Sequence, residues 1–125
     1  MTTQGPRSGR EKLKHARILS VSGNYAIATT RELLLRREGF EVRTAASRVR
    51  AQKLLQTDLF HCFVIGSSLS AEACQQLAAE FRRRNPWGKI IEILPTPWMP
   101  ATTTPDATVT DPEELISTLH ALLGR

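Results

Sequence analysis

The sequence predicts an α/β domain: a five-stranded parallel sheet with helices packed on both faces. Three observations carry this expectation. Short β-rich runs alternate with amphipathic helical stretches through the chain. The central run from His61 to Ile65 is almost continuously apolar, as a strand covered on both faces must be. The connections are too short to separate domains, so consecutive strands feed crossover helices in one sheet.

The first strand reads Arg17-Ile18-Leu19-Ser20-Val21-Ser22, and Gly23-Asn24 then turns the chain into a helix over Tyr25 to Glu38. Ala26, Ile27, Leu33 and Leu34 recur at helical spacing and are expected to face the core, with Arg31, Glu32, Arg36 and Arg37 on the wet face. Gly39 suits the left-handed residue that ends many helices. Phe40 to Thr44 alternates as a half-exposed strand. Ser47 is positioned to cap a second helix over 48–56, with Ala51, Leu54 and Leu55 inward.

After the apolar strand, Ser70 is positioned to cap a third helix in which Cys74, Leu77, Ala78 and Phe81 follow the i, i+3, i+4, i+7 pattern. Arg82-Arg83-Arg84 complements the negative end of its dipole, and Asn85-Pro86-Trp87-Gly88 is a turn. Lys89 to Leu94 and Ala107 to Thr110 are the fourth and fifth strands. Asp111-Pro112-Glu113-Glu114 opens the last helix with an acidic cap, proline at the first position and glutamate at the third. Leu115, Ile116, Leu119, Leu122 and Leu123 are its expected inward residues. Between the fourth and fifth strands a helix is missing, because residues 95–105 carry four prolines and cannot make one.

A chain of 125 residues with 41% hydrophobic and 23% charged residues builds one domain with a real core. No apolar run approaches the roughly 20 residues needed to cross a bilayer, and the amino terminus lacks the apolar segment of a signal peptide. A soluble, cytoplasmic protein without membrane contact is expected. Cys62 and Cys74 lie in separate apolar patterns outside any CxxC or Cys/His cluster, which points to buried free thiols and no metal. The net charge is +5, and Arg7, Arg10, Lys12, Lys14 and Arg17 against Glu11 put +4 of it in the first 17 residues. Residues 1–14 read as a flexible basic arm before a domain over 15–125, and a basic arm without interleaved aromatics is weak evidence for nucleic-acid binding, which is not expected.

Arg17 to Val21, Arg31-Glu32-Leu33-Leu34-Leu35-Arg36-Arg37-Glu38-Gly39-Phe40-Glu41-Val42, the strand through Ile65 and Asp111 to Leu115 together resemble the receiver domain of bacterial response regulators. The resemblance runs over about residues 16 to 125 and implies a CheY-like, flavodoxin-like sheet of order 2-1-3-4-5, with the site at its carboxyl edge. In that family an acidic pair after the first strand binds magnesium, an aspartate ending the third strand accepts a phosphoryl group, a Thr or Ser ends the fourth, and a lysine follows the fifth.

On this chain the acidic pair falls on Ser22 and Gly23 and the phosphoacceptor on Gly66, next to Ser67. The hydroxyl position falls on Leu94, or on Thr96 if the register slips by two, and no lysine stands near Val109 to Pro112. A degenerate, non-phosphorylatable pseudo-receiver without cofactor is therefore implied. Asp58 and Asp106 belong to the opposite edge, Asp111 to helix capping and Glu92 to the interior of strand four, so no convergent oxygen set for magnesium is expected.

Ser22-Gly23-Asn24 reads either as a tight turn or as an anion cradle of backbone N–H groups. Ser67, Ser68 and Ser70 stand outside any GxSxG elbow, and His61 enters from the far end of its strand, which excludes a hydrolase. His15 and His120 read as solvent-facing or rim residues. Trp98 and Met99, on a proline-stiffened loop, either present a recognition surface or fold down over the gap left by the absent helix. The expected function is a non-enzymatic interaction module that docks a protein partner of a signalling pathway. A sensor of an anion or nucleotide in the vacated pocket is the alternative.

Overall fold

The computed structural model describes residues 16–66 and 68–124; the basic arm, His15, Ser67 and Arg125 lie outside the described residues. The elements run β1 (Arg17–Val21), α1 (Tyr25–Arg37), β2 (Glu41–Ala45), α2 (Arg48–Thr57), β3 (Cys62–Gly66), α3 (Ala71–Arg84), β4 (Lys89–Ile93), β5 (Ala107–Val109) and α4 (Pro112–Leu122). All neighbouring strands pair in parallel, in the order β2-β1-β3-β4-β5.

The period-two alternation of each strand divides the core between the two faces of the sheet. Ile18, Cys62, Val64 and Ile91 meet Leu35 of α1 and Leu115 and Leu119 of α4. Leu19, Val21, Phe63, Ile65 and Ile90 turn the other way, against α2 and α3. β3 lies between β1 and β4 and is buried at every position, which explains its unbroken apolar run. Each described helix has a polar N-cap whose side chain accepts a backbone N–H of the first turn: Asn24 from Ile27, Ser47 from Arg50, Ser70 from Ala73 and Asp111 from Glu114. Gly39, after α1, has φ 93°, the left-handed conformation expected of it.

The inward face of α1 differs from the sequence reading. Ala28 and Leu35 are its buried residues, whereas Ile27 and Leu33 are 48% and 61% exposed and Ala26 is exposed as well. The core stripe therefore passes through Ala28, Arg31 and Leu35 and carries a cation at its centre. In α4, Leu115, Leu119 and the following Leu123 are buried, while Ile116 and Leu122 are only partly covered. β4 stops at Ile93 and β5 at Val109, so Leu94 and Thr110 belong to the connections after these strands. Residues 94–106 link β4 to β5 without a helix. Among the described residues no helix is long and apolar enough to cross a membrane.

Candidate functional site

At the carboxyl edge of the sheet, β1 delivers Ser22, β3 ends in Gly66 and β4 leads into Leu94. Ser22 is buried, and its hydroxyl lies 3.2 Å from the Ser68 hydroxyl. The N–H of Gly23 donates to Ser68 Oγ at 2.7 Å and that of Asn24 to Ser22 Oγ at 3.2 Å. A Cβ on Gly23 would approach the Ser68 carbonyl oxygen to 3.0 Å, so glycine permits the close approach of these two loops. The turn thus spends the Gly23 and Asn24 N–H groups on the fold itself, and the tight-turn reading replaces the anion cradle.

Arg31 enters this edge from α1. Its guanidinium donates to the Val21 carbonyl at 3.4 Å and lies over Gly66, where a Cβ would stand 3.5 Å from Nη2 and 3.9 Å from Nη1. Among the described residues no carboxylate forms an ion pair with it within 4.0 Å. Burial lowers its pKa from the ordinary 12.5, since desolvation disfavours the charged form. The sequence reading placed Arg31 on the wet face. The spacing of Ala28, Arg31 and Leu35, at i, i+3 and i+7, is the signal that places it inward.

A cavity of about 490 Å³ opens beside this guanidinium. Its floor includes Ser22, Gly66 and Ser68, and Ile27, Leu34, Leu94 and Leu115 are among its apolar walls. Asp111 also lines it, with its Oδ1 accepting the Glu114 N–H at 2.8 Å as the cap of α4. Of the residues singled out from the sequence, Ser22, Gly66 and Leu94 meet here, and Gly23 adjoins them through Ser68. Thr96 does not line the cavity; its hydroxyl is buried without a hydrogen-bond partner among the described residues. Ser67 lies outside the described residues.

The remaining acids are committed elsewhere. Asp58 sits before β3, at the opposite edge, and pairs with Arg43 at 3.5 Å. Asp106 precedes β5 and accepts the Ile90 N–H at 2.8 Å. His61, also at that edge, accepts the Arg17 N–H through Nδ1. No group of three or more His, Cys, Asp or Glu suited to a metal ion occurs among the described residues.

Glu92 has a role that the strand pattern did not disclose. Its buried carboxylate accepts four donors from the linking loop: the N–H and hydroxyl of Thr102 and those of Thr103, at 2.7–3.0 Å. Arg82 of α3 donates to the carbonyls of Thr103 and Thr104. Thr104 adopts φ 51°, a left-handed conformation rare outside glycine, at this anchored corner. The loop is thereby pinned to the sheet face that a further helix would cover. Its tip does not fold down: Trp98 is 80% exposed and Met99 46% exposed. Met99, Leu94 and Pro95 border a smaller cavity of about 180 Å³ beneath the loop.

Cys62 and Cys74 are free and buried. His120 lies 3.5 Å from Glu38 and against the ring of Phe40, a rim position.

No family model matches the chain, and a search of curated proteins gives no significant match. Solved structures match over nearly the whole fold. A receiver domain of a sensor histidine kinase from Pseudomonas aeruginosa, with magnesium in its active site cleft, superposes with TM-score 0.75 at 17% identity, covering 89% of this chain and 99% of that one. A CheY-like response regulator receiver domain protein from Methanospirillum hungatei gives 0.73 at 21% identity, covering 88% and 94%. The response regulator TrrA of Thermotoga maritima, in complex with the histidine kinase ThkA, gives 0.73 at 22%, covering 86% and 98%. The chain has the CheY-like receiver fold, with one helix replaced by a loop.

Proposed function

We propose that this chain is a receiver-like protein-interaction module of a bacterial signalling pathway, located in the cytoplasm, that works without phosphorylation and has binding as its whole activity. The observation that carries this reading is the Arg31 guanidinium over Gly66, with a Nη2 to virtual Cβ distance of 3.5 Å. Phosphoryl transfer to a receiver needs a carboxylate nucleophile and convergent oxygens for a divalent cation. At this edge a glycine ends the strand, and a fixed positive charge stands where a cation would have to approach. Like charges at close range in a partly desolvated site repel strongly. Ser22, Gly23, Gly66, Ser67 and Leu94 are then the remnants of a phosphorylation pocket, whose cavity Thr96 does not line.

Trp98 and Met99 are the proposed contacts to a protein partner. They are exposed on a loop whose base is held by Glu92, so little backbone entropy remains to be lost on docking. The histidine kinase bound to TrrA illustrates the class of partner that this fold can engage. Nucleic acid is outside the reading, since the charge excess resides mainly in the amino-terminal arm. The test is incubation with acetyl phosphate and magnesium followed by intact mass: the mass stays unchanged, and incorporation of a phosphoryl group refutes the reading.

A further inference from the structure

The cavity beside Arg31 has the attributes of a ligand site in its own right. About 490 Å³ lies within the range of about 300–1,000 Å³ occupied by small-molecule pockets, which are mostly apolar with a few convergent polar groups. Arg31 supplies a planar fork of donors, of which a single 3.4 Å bond to the Val21 carbonyl is formed among the described residues. A guanidinium held partly out of water without a counter-ion is an unfavourable arrangement that a bound anion relieves.

The walls select among anions. Ile27, Leu34, Leu94 and Leu115 offer an apolar lining, no second cation lines the cavity among the described residues, and Asp111 adds a negative charge to it. A polyphosphate would bring several charges to one guanidinium and face that aspartate, whereas a single carboxylate matches the fork with two parallel N–H···O bonds. The Gly23 N–H is already taken by Ser68, so backbone donors there add nothing for phosphate oxygens.

We infer that this cavity binds a small organic monocarboxylate with an apolar stem, the carboxylate on Arg31 beside Gly66 and the stem along Ile27, Leu34, Leu94 and Leu115. The inference rests on the reading of this edge as one that carries no phosphoryl group. It adds a way for a metabolite to alter the surface formed by α1 and the start of α4, whose residues make the cavity walls.

Octanoate serves as the probe, titrated into the full chain by calorimetry and by amide chemical shifts. The expected result is saturable one-to-one binding with shifts at Gly66, Leu94 and Leu115. Octan-1-ol, which keeps the stem and loses the charge, is expected to bind at least about tenfold more weakly, as is octanoate to Arg31→Gln. Arg31→Lys, which keeps the charge without the fork, falls between. Inorganic phosphate and ATP leave octanoate bound. Absence of octanoate binding, equal binding of the alcohol, undiminished binding to a folded Arg31→Gln chain, or displacement by phosphate overturns the inference. Intact mass after acetyl phosphate, taken on the same samples, separates the two readings. A mass gain refutes the unphosphorylated site, and unchanged mass without octanoate binding refutes the ligand alone.

Discussion

One carboxylate oxygen of Glu92, Oε1, accepts both the backbone N–H of Thr103 at 3.0 Å and its hydroxyl at 2.7 Å, so a strand residue and a loop residue ten or so positions on are locked together. Thr102 occupies the same carboxylate through its own N–H and hydroxyl. Glu92→Gln puts an NH₂ group against donors that need an acceptor, and the expected cost is about 2–3 kcal/mol. Urea denaturation measures it. In a Trp87→Phe background, acrylamide quenching of Trp98 is expected to change as the loop loosens.

Trp98→Ala is expected to shift stability by no more than about 0.5 kcal/mol, because the indole is 80% exposed and leaves no cavity in the core. The same substitution is expected to abolish retention of the protein partner. A large loss of stability on thermal or urea unfolding would instead mean that the ring packs against the domain.

Gly66→Asp has room, since the added Cβ stands 3.5 Å from Arg31 Nη2, and its carboxylate reaches the guanidinium. The pair is expected to raise stability on urea denaturation, since the new carboxylate gives the partly buried guanidinium the counter-ion it lacks. Acetyl phosphate with magnesium still leaves the mass of this variant unchanged, because no acidic pair follows β1. Octanoate binding is lost as the new carboxylate occupies Arg31, which calorimetry reads directly.

The buried cysteines fix an alkaline limit. Burial, and secondarily the charge of Asp106, pushes the Cys62 thiol far above its ordinary 9.0; burial and Glu92 push Cys74 up as well. Unfolded thiols lose their protons above about pH 9 while the folded ones keep theirs, so the unfolded state binds fewer protons there. Stability is therefore complete below that pH and falls as pH rises, with a slope for Cys62 that approaches about 1.4 kcal/mol per pH unit once the unfolded thiol is ionised; Cys74 acts in the same direction. Urea melts between pH 8 and 10 check the slope, which is expected to be shallower in Cys62→Ala. At pH 8 a thiol reagent modifies neither cysteine until denaturant is added.

The elements were legible where local rules suffice. Ser47, Ser70 and Asp111 each cap the helix they precede, and β3 announces its burial by carrying no polar side chain from Cys62 to Gly66. The Ser22, Gly66 and Leu94 edge was legible for the same reason, since each follows or ends a recognisable strand. Arg31 was misplaced because Ile27, Leu33 and Leu34 imitate an inward stripe, and a 13-residue helix whose buried residues Ala28 and Leu35 lie seven positions apart admits either phase until the sheet is present. Glu92 escaped notice because its partners lie on a loop whose path no propensity or period specifies, and only tertiary structure brings Thr102 and Thr103 to it.

The positive charge at the end of β3 is supplied by the chain and needs no loading from outside. Under the proposed function, a signalling component built this way would have no covalent on and off states to be written by a kinase or erased by a phosphatase. Chelation of divalent ions or depletion of phosphodonors would leave it untouched, and its output would follow its abundance and the supply of whatever fills the space beside Arg31.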